Sequence, residues 1–262
     1  MREAALKQSE PSRQGDNCAL FLDFDGTLVD IVDRPDAVAV DPSLPGILTR
    51  LQERLGGALA IISGRPIEFL DSRFRPHVFD IAGLHGLEHR IGGRLAECDP
   101  DEHPRLREMV ARLKEIVAPR EGVLIEDKGC SVAIHWRLAP QEKDFALATA
   151  TAAVEALGSD YRVQHGKAVA EILPAAAGKG KVIERFLQQE PYRGRLPVFV
   201  GDDLTDENGF RTVNAHGGLS IRIGAGETIA RERLGTPADL RHSLSVWASE
   251  GLLPFEWVSR LP

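Results

Sequence analysis

The sequence predicts an α/β protein: a parallel sheet flanked by helices, with a smaller α+β unit inserted into it. Three observations predict this. Short continuous apolar runs end in glycine, hydroxyl or acidic turns and alternate with helical patterns, as buried parallel strands do. A polar, proline-bearing stretch from Asp99 to Pro104 breaks that alternation and reads as a hinge. Beyond residue 174 the α/β style returns.

The chain of 262 residues is long enough for one large domain, or for a core carrying an insertion. At 43% hydrophobic and 27% charged it has a soluble globular composition. A net charge of −7 argues against a nucleic-acid partner, which calls for a basic face. No run approaches eighteen uninterrupted apolar residues, so no membrane span is expected. Residues 1–17 lack the apolar segment of a secretory signal and read as a flexible tail. The cytoplasm and a monomer are the expectations. Cys18, Cys98 and Cys130 are odd in number, widely spaced and without CxxC spacing; each is expected to be a reduced thiol.

The first apolar run, Leu20 to Leu28, ends in Asp23-Phe-Asp25-Gly-Thr. In a strand, residues i and i+2 share a side, so Asp23 and Asp25 can leave the sheet edge together, and Gly26 lets the chain turn. Read alone, this is equally a buried strand running into an Asp-Gly turn. Asp41 and Pro42 are expected to start a helix carrying Leu44, Leu48, Leu51 and Leu55, which Gly56-Gly57 ends. Ala58 to Ile62 is a second strand, closing in Ser63-Gly64-Arg65-Pro66 before another helix. Backbone amides at such a helix start, with the Ser63 hydroxyl, suit phosphate oxygens; a plain polar turn is the alternative.

Val78 to Ala82 is a third strand, leading to Gly83-Leu-His-Gly and a hairpin turning at Gly92-Gly93. A lone His85 there reads as a structural hydrogen-bonder, and the sequence assigns it no role. The inserted unit runs helix (Pro104 to Val117), strands (Val123 to Glu126, Ser131 to Trp136), helix (Gln141 to Leu157), then a strand pair within Tyr161 to Leu173 around Gly166. That α-β-β-α-β-β order suggests an antiparallel sheet covered by two helices. The core is thus expected over 18–103 and 174–262, with the insertion over 104–173.

Lys179 to Gln189 is then a helix and Leu196 to Val200 a strand, ending in Gly201-Asp-Asp-Leu-Thr-Asp-Glu207. Four carboxylates in six residues repel one another unless a cation sits among them. All-oxygen ligands point to a hard cation, Mg²⁺ for phosphate chemistry, although acidic residues also favour an ordinary first helical turn. Gly218 to Ile223 supplies a further strand and Pro237 to Leu252 a closing helix.

Asp23-x-Asp25-Gly-Thr, Ser63, Lys179 and Gly201-Asp-Asp-x-x-Asp206 follow the motif order of haloacid dehalogenase-type phosphatases, which the chain resembles. More narrowly it is similar to the trehalose-6-phosphate phosphatase family. Gly83-Leu-His-Gly, Glu126-x-Lys128, His135-Trp-Arg137, Glu171-Ile-Leu-Pro and Lys179-Gly180 carry that likeness, over about Ala19 to Leu253. The resemblance implies a Rossmann-like core with a C2-type cap (αββαββ) that sets substrate specificity. It implies a phosphoric monoester hydrolase, a trehalose-phosphatase, in which Asp23 is the nucleophile and forms an aspartyl phosphate. Asp25 would be the acid and base, Lys179 a cation at the reaction centre, and Ser63, Gly64 and Lys179 the phosphate cradle. Mg²⁺ would be held by Asp23, Asp25 (through its carbonyl), Asp202 and Asp206, and the sugar by Glu126, Lys128, Arg137, Lys167 and Glu171. Another sugar phosphatase, a phosphomutase or a non-catalytic sugar-phosphate sensor are the alternatives, and Asp203 is given no role.

Overall fold

The computed structural model describes residues 17–32, 38–166 and 168–251. Apart from Asn17, the N-terminal tail lies outside these, as do Lys167 and Leu252, the expected end of the last helix. Two sheets organise the described residues.

In chain order the first part comprises β1 (Cys18–Leu22), α1 (Leu44–Arg54), β2 (Leu59–Ile62), α2 (Ile67–Phe74), β3 (Asp80–Gly83), β4 (Glu88–Ile91) and β5 (Arg94–Glu97). The second sheet and its helices follow: α3 (Pro104–Val117), β6 (Leu124–Asp127), β7 (Val132–His135), α4 (Lys143–Leu157), β8 (Tyr161–Gly166) and β9 (Val169–Pro174). The chain then adds α5 (Lys179–Leu187), β10 (Leu196–Gly201), α6 (Glu207–Ala215), β11 (Leu219–Ile223), β12 (Glu232–Leu234) and α7 (Pro237–Glu250).

The larger sheet has the order β12-β11-β10-β1-β2-β3-β4-β5. Its first six strands are parallel, and the hairpin β4-β5 adds an antiparallel edge. The central strand β1 is buried along its whole length, which is why Cys-Ala-Leu-Phe-Leu carries no polar residue. Around it Phe21 stacks on Tyr192 at 5.5 Å and meets Phe186 edge-on at 5.8 Å. Helices α1 and α7 pack together, as do α5 and α6. The smaller sheet, β6-β7-β9-β8, is antiparallel and shares a separate core with α3 and α4, built on Leu113, Ile134, Ala150 and Ile172. It is the cap-like layer, and β8 meets the Leu204–Asp206 turn of the larger unit.

Three readings of the sequence are corrected. Cys98 and Cys130 are a disulfide, with Cα atoms 6.3 Å apart, because the stretch after β5 runs beside the β6–β7 turn. Cys18 is buried in β1 and takes no part in it. Asp41 does not cap a helix: its carboxylate accepts the Ser43 amide at 2.8 Å and hydroxyl at 2.6 Å, folding the chain into a side-chain turn, and α1 starts at Leu44. The third strand starts at Asp80, since Val78 is exposed. Strand β12 gave no signal, being three residues long and mostly charged.

Candidate active site

The carboxyl ends of β10, β1 and β2 lie side by side, the position where open parallel sheets bind ligands. Strand β1 delivers Asp23, β2 delivers Ser63, and β10 delivers Asp202. The end of β3 adds His85. They open on a cavity of about 380 Å³ whose other wall, Gln164, His165, Gly166, Val169 and Glu171, comes from β8 and β9 of the cap-like sheet.

Asp23 is only 4% exposed. Its Oδ1 accepts Lys179 Nζ at 2.6 Å and its Oδ2 accepts the Thr27 hydroxyl at 3.2 Å. Lys179, first residue of α5 and itself buried, reaches Asp206 Oδ1 at 2.5 Å as well. Burial alone would lower the Lys179 pKa; the Asp206 and Asp23 carboxylates outweigh it and raise it. For Asp23, burial pushes the pKa well up, Lys179 opposes, and Asp206 and Asp202 add to the rise. Asp202 is pushed up to about 6 by burial and by Asp206.

Asp206 is fully buried and occupied on both oxygens, since its Oδ2 accepts the Asp202 amide at 3.0 Å and the Asp203 amide at 2.9 Å. Asp203, left without a role by the sequence, caps the turn Leu204–Asp206 by accepting the Leu204 amide at 2.6 Å. Two glycines make this crowding possible: a Cβ on Gly26, at φ 78°, would overlap the Asp202 carboxylate, and one on Gly201 would overlap Asp206.

Carboxylate oxygens of Asp23, Asp202 and Asp206 come within 4.8 Å of one another, the set among the described residues that fits a hard divalent cation. Three carboxylates here face Lys179, which pairs with Asp23 and Asp206; burial first, and then the neighbouring carboxylates, raise Asp23 and Asp202. The residues present therefore fit Mg²⁺.

Asp25 also lines the cavity but is not in that cluster. Arg65 grips it with two hydrogen bonds, Nε to Oδ2 at 2.8 Å and Nη2 to Oδ1 at 2.7 Å. Ser63 is 1% exposed and its Oγ accepts the Arg65 amide at 3.0 Å, which fixes the hydroxyl at the turn into α2. Gly64 lines the cavity beside it.

Of the residues expected to hold the sugar, Glu171 and Arg137 line the cavity. Lys128 is outside the lining but donates to Glu171 Oε2 at 3.3 Å. Glu126 is exposed, pairs with His135 at 2.8 Å and does not line the cavity. Lys167 lies outside the described residues. Sequence reasoning missed Arg65, Gln164, His165 and Thr205 in the lining; the Ser-Gly-Arg turn could have flagged the first.

Residues 21–239 match the trehalose-phosphatase family. A probable trehalose-phosphate phosphatase of Sinorhizobium fredii is 49% identical over 227 residues, 85% of this chain and 84% of that one. The trehalose-6-phosphate phosphatase of Escherichia coli K12 is 42% identical over 224 residues, 85% of this chain and 83% of that one. Among solved structures, a trehalose-6-phosphate phosphatase related protein is 26% identical with a TM-score of 0.69, covering 88% of this chain and 97% of that one.

Proposed function

The chain belongs to the trehalose-phosphatase family and is a phosphoric monoester hydrolase; from that premise we propose how its residues release phosphate from trehalose 6-phosphate. The observation that carries the proposal is Asp23, buried at the mouth of the central strand with Lys179 at 2.6 Å.

Asp23 attacks phosphorus as a carboxylate and becomes an aspartyl phosphate. Lys179 and Thr27 hold its two oxygens, so the attacking lone pair is aimed before substrate arrives. The Ser63 hydroxyl and the backbone amides entering α2 donate to the phosphoryl oxygens without adding charge. Asp25 protonates the departing sugar oxygen and then takes a proton from the water that hydrolyses the aspartyl phosphate. Arg65 sets its direction.

Asp23, Asp202 and the Asp25 carbonyl would hold Mg²⁺, with Asp206, its oxygens already engaged, orienting the loop. The ion, when bound, screens the phosphoryl oxygens from the surrounding carboxylates. The cap-like unit, which we place over 104–173, supplies Glu171 and Arg137 to the sugar, with Lys128 acting through Glu171. Carboxylates accept from sugar hydroxyls and the basic side chains donate to them. We also propose Lys167 as a sugar contact and Glu126 as a residue that engages only when substrate is bound.

Among the described residues no helix is long and apolar enough to cross a membrane; a cytoplasmic monomer is the working state we propose. A panel of sugar phosphates with and without EDTA tests the function. Preferential phosphate release from trehalose 6-phosphate, abolished by EDTA, is expected; equal release across the panel would overturn the substrate, and transfer of phosphate between sugar positions would make the chain a mutase.

A further inference from the structure

The chemistry above leaves His85 unused, yet it stands where three parts of the site meet. Its amide donates to the Ser63 carbonyl at 3.0 Å and its carbonyl accepts the Gly178 amide at 2.8 Å. The backbone at His85 thereby joins the phosphate turn to the residue just before Lys179. The side chain faces the cap-like sheet instead, with Nε2 at 3.6 Å from Glu171 Oε2.

Glu171 is 5% exposed, and its other polar contacts come from the β6–β7 turn of its own unit: Ser131 Oγ donates to Oε1 at 2.6 Å and Lys128 Nζ to Oε2 at 3.3 Å. His85 is the contact from the opposite unit. At 3.6 Å it lies just beyond hydrogen-bond length, and such contacts tighten when substrate orders a site.

Two features keep the imidazole there. Leu84 and His85 hold positive φ angles of 48° and 57°, a left-handed conformation that residues with a Cβ adopt at a cost and that gathers at functional sites. A Cβ on Gly64 would come 2.7 Å from His85 Nε2, so the glycine of the phosphate turn is the space the ring fills. Burial lowers the His85 pKa to about 4 despite the opposing pull of Glu171, so the ring is neutral near pH 7. A neutral ring carries one N–H; Nδ1 is buried without a partner, which leaves the proton to Nε2, facing the carboxylate.

We propose that His85 is a positioning residue for Glu171: it steers the sugar-recognising carboxylate from the core side and locks its direction to the phosphate turn. This rests on the trehalose 6-phosphate reading. A carboxylate that selects a sugar must offer its lone pairs along fixed directions. The two donors from the β6–β7 turn orient Glu171 relative to its own unit only. A donor whose backbone rides on Ser63 and Gly178 orients it relative to the phosphate. Being uncharged, the imidazole does this without cancelling the charge that makes Glu171 a strong acceptor.

The test is steady-state kinetics on trehalose 6-phosphate with the full chain as wild type, His85→Asn, Glu171→Gln and the double variant, each checked for folding by circular dichroism. Asparagine tolerates the left-handed backbone and removes the ring. His85→Asn is expected to raise KM about tenfold with kcat changed less than about threefold, and to cost nothing further when Glu171 is already Gln. Penalties that multiply in the double variant, or a kcat loss at unchanged KM, overturn the inference while a turning-over wild type preserves the substrate reading. A wild type inactive on trehalose 6-phosphate overturns both.

Should His85→Asn fail to fold, nitrogen NMR of the imidazole in wild type and Glu171→Gln decides. A neutral ring protonated at Nε2, whose Nε2 signal moves in Glu171→Gln, is expected. A ring protonated at Nδ1, or a signal that does not move, overturns the proposal.

Discussion

Arg65 and Asp25 form a bidentate pair, Nε to Oδ2 at 2.8 Å and Nη2 to Oδ1 at 2.7 Å, across 40 positions of sequence. The planar guanidinium fixes both oxygens of the carboxylate, and Phe69 lies 4.6 Å beneath it. A lysine supplies the charge without the fork. Arg65→Lys is therefore expected to lower kcat about tenfold with little change in thermal stability. A kcat within twofold of wild type would show that Asp25 is aimed by something else.

Among the described residues, Lys179 is the one cation bonded to both buried carboxylates, Asp23 at 2.6 Å and Asp206 at 2.5 Å. Removing one partner of a buried charge cluster costs about 3–5 kcal/mol. Lys179→Met should lose about that much in urea unfolding measured in EDTA, and less at millimolar Mg²⁺, since the cation takes over part of the counter-charge. An equal loss in both conditions would speak against a cation in this cluster.

The Cys98–Cys130 bond closes a loop with a sequence separation of 32. Loop-closure entropy for that length is worth about 3–4 kcal/mol against unfolding. Thiol titration of the unfolded, oxidised chain should find a single reactive thiol, Cys18, and three after reduction, with a lower unfolding midpoint in reductant. Three thiols without reductant would remove the disulfide from the account.

His85 gives the stability a pH signature. Its pKa is about 4 in the fold and about 6.5 when unfolded. Between those values the unfolded chain binds a proton that the native chain refuses. The contribution is complete above about pH 6.5 and is lost as the pH falls towards 4, on the order of 3 kcal/mol in all. His85→Asn should flatten this limb in denaturant titrations relative to wild type. Parallel limbs would mean that the ring titrates normally.

What the sequence discloses follows from locality. Strands buried on both faces announce themselves as apolar runs, and the acids that end β1 and β10 are adjacent in sequence to those runs, so Asp23 and Asp202 could be placed before any coordinate. The hydroxyl of Ser63 was legible for the same reason. Contacts made by topology were not. Arg65 meeting Asp25, Cys98 meeting Cys130 and His85 meeting Glu171 depend on which strand neighbours which, and on a cap-like unit lying over the sheet edge. Glu126 in β6 and Lys128 just beyond its end gave residue types suited to a sugar but not direction; Lys128 contacts Glu171 while Glu126 pairs with His135. Strand β12, short and charged, is held by its pairing to β11 rather than by any pattern of its own.

The central claim is that Asp23 takes the phosphoryl group from trehalose 6-phosphate. Acid-quenched turnover in Mg²⁺, followed by mass-spectrometric mapping of the acyl phosphate, tests it directly. Phosphate is expected on the peptide containing Asp23 and absent in Asp23→Asn, whose kcat should fall by about 10⁴-fold or more. Phosphate mapped to another residue, or turnover retained by Asp23→Asn, would contradict it.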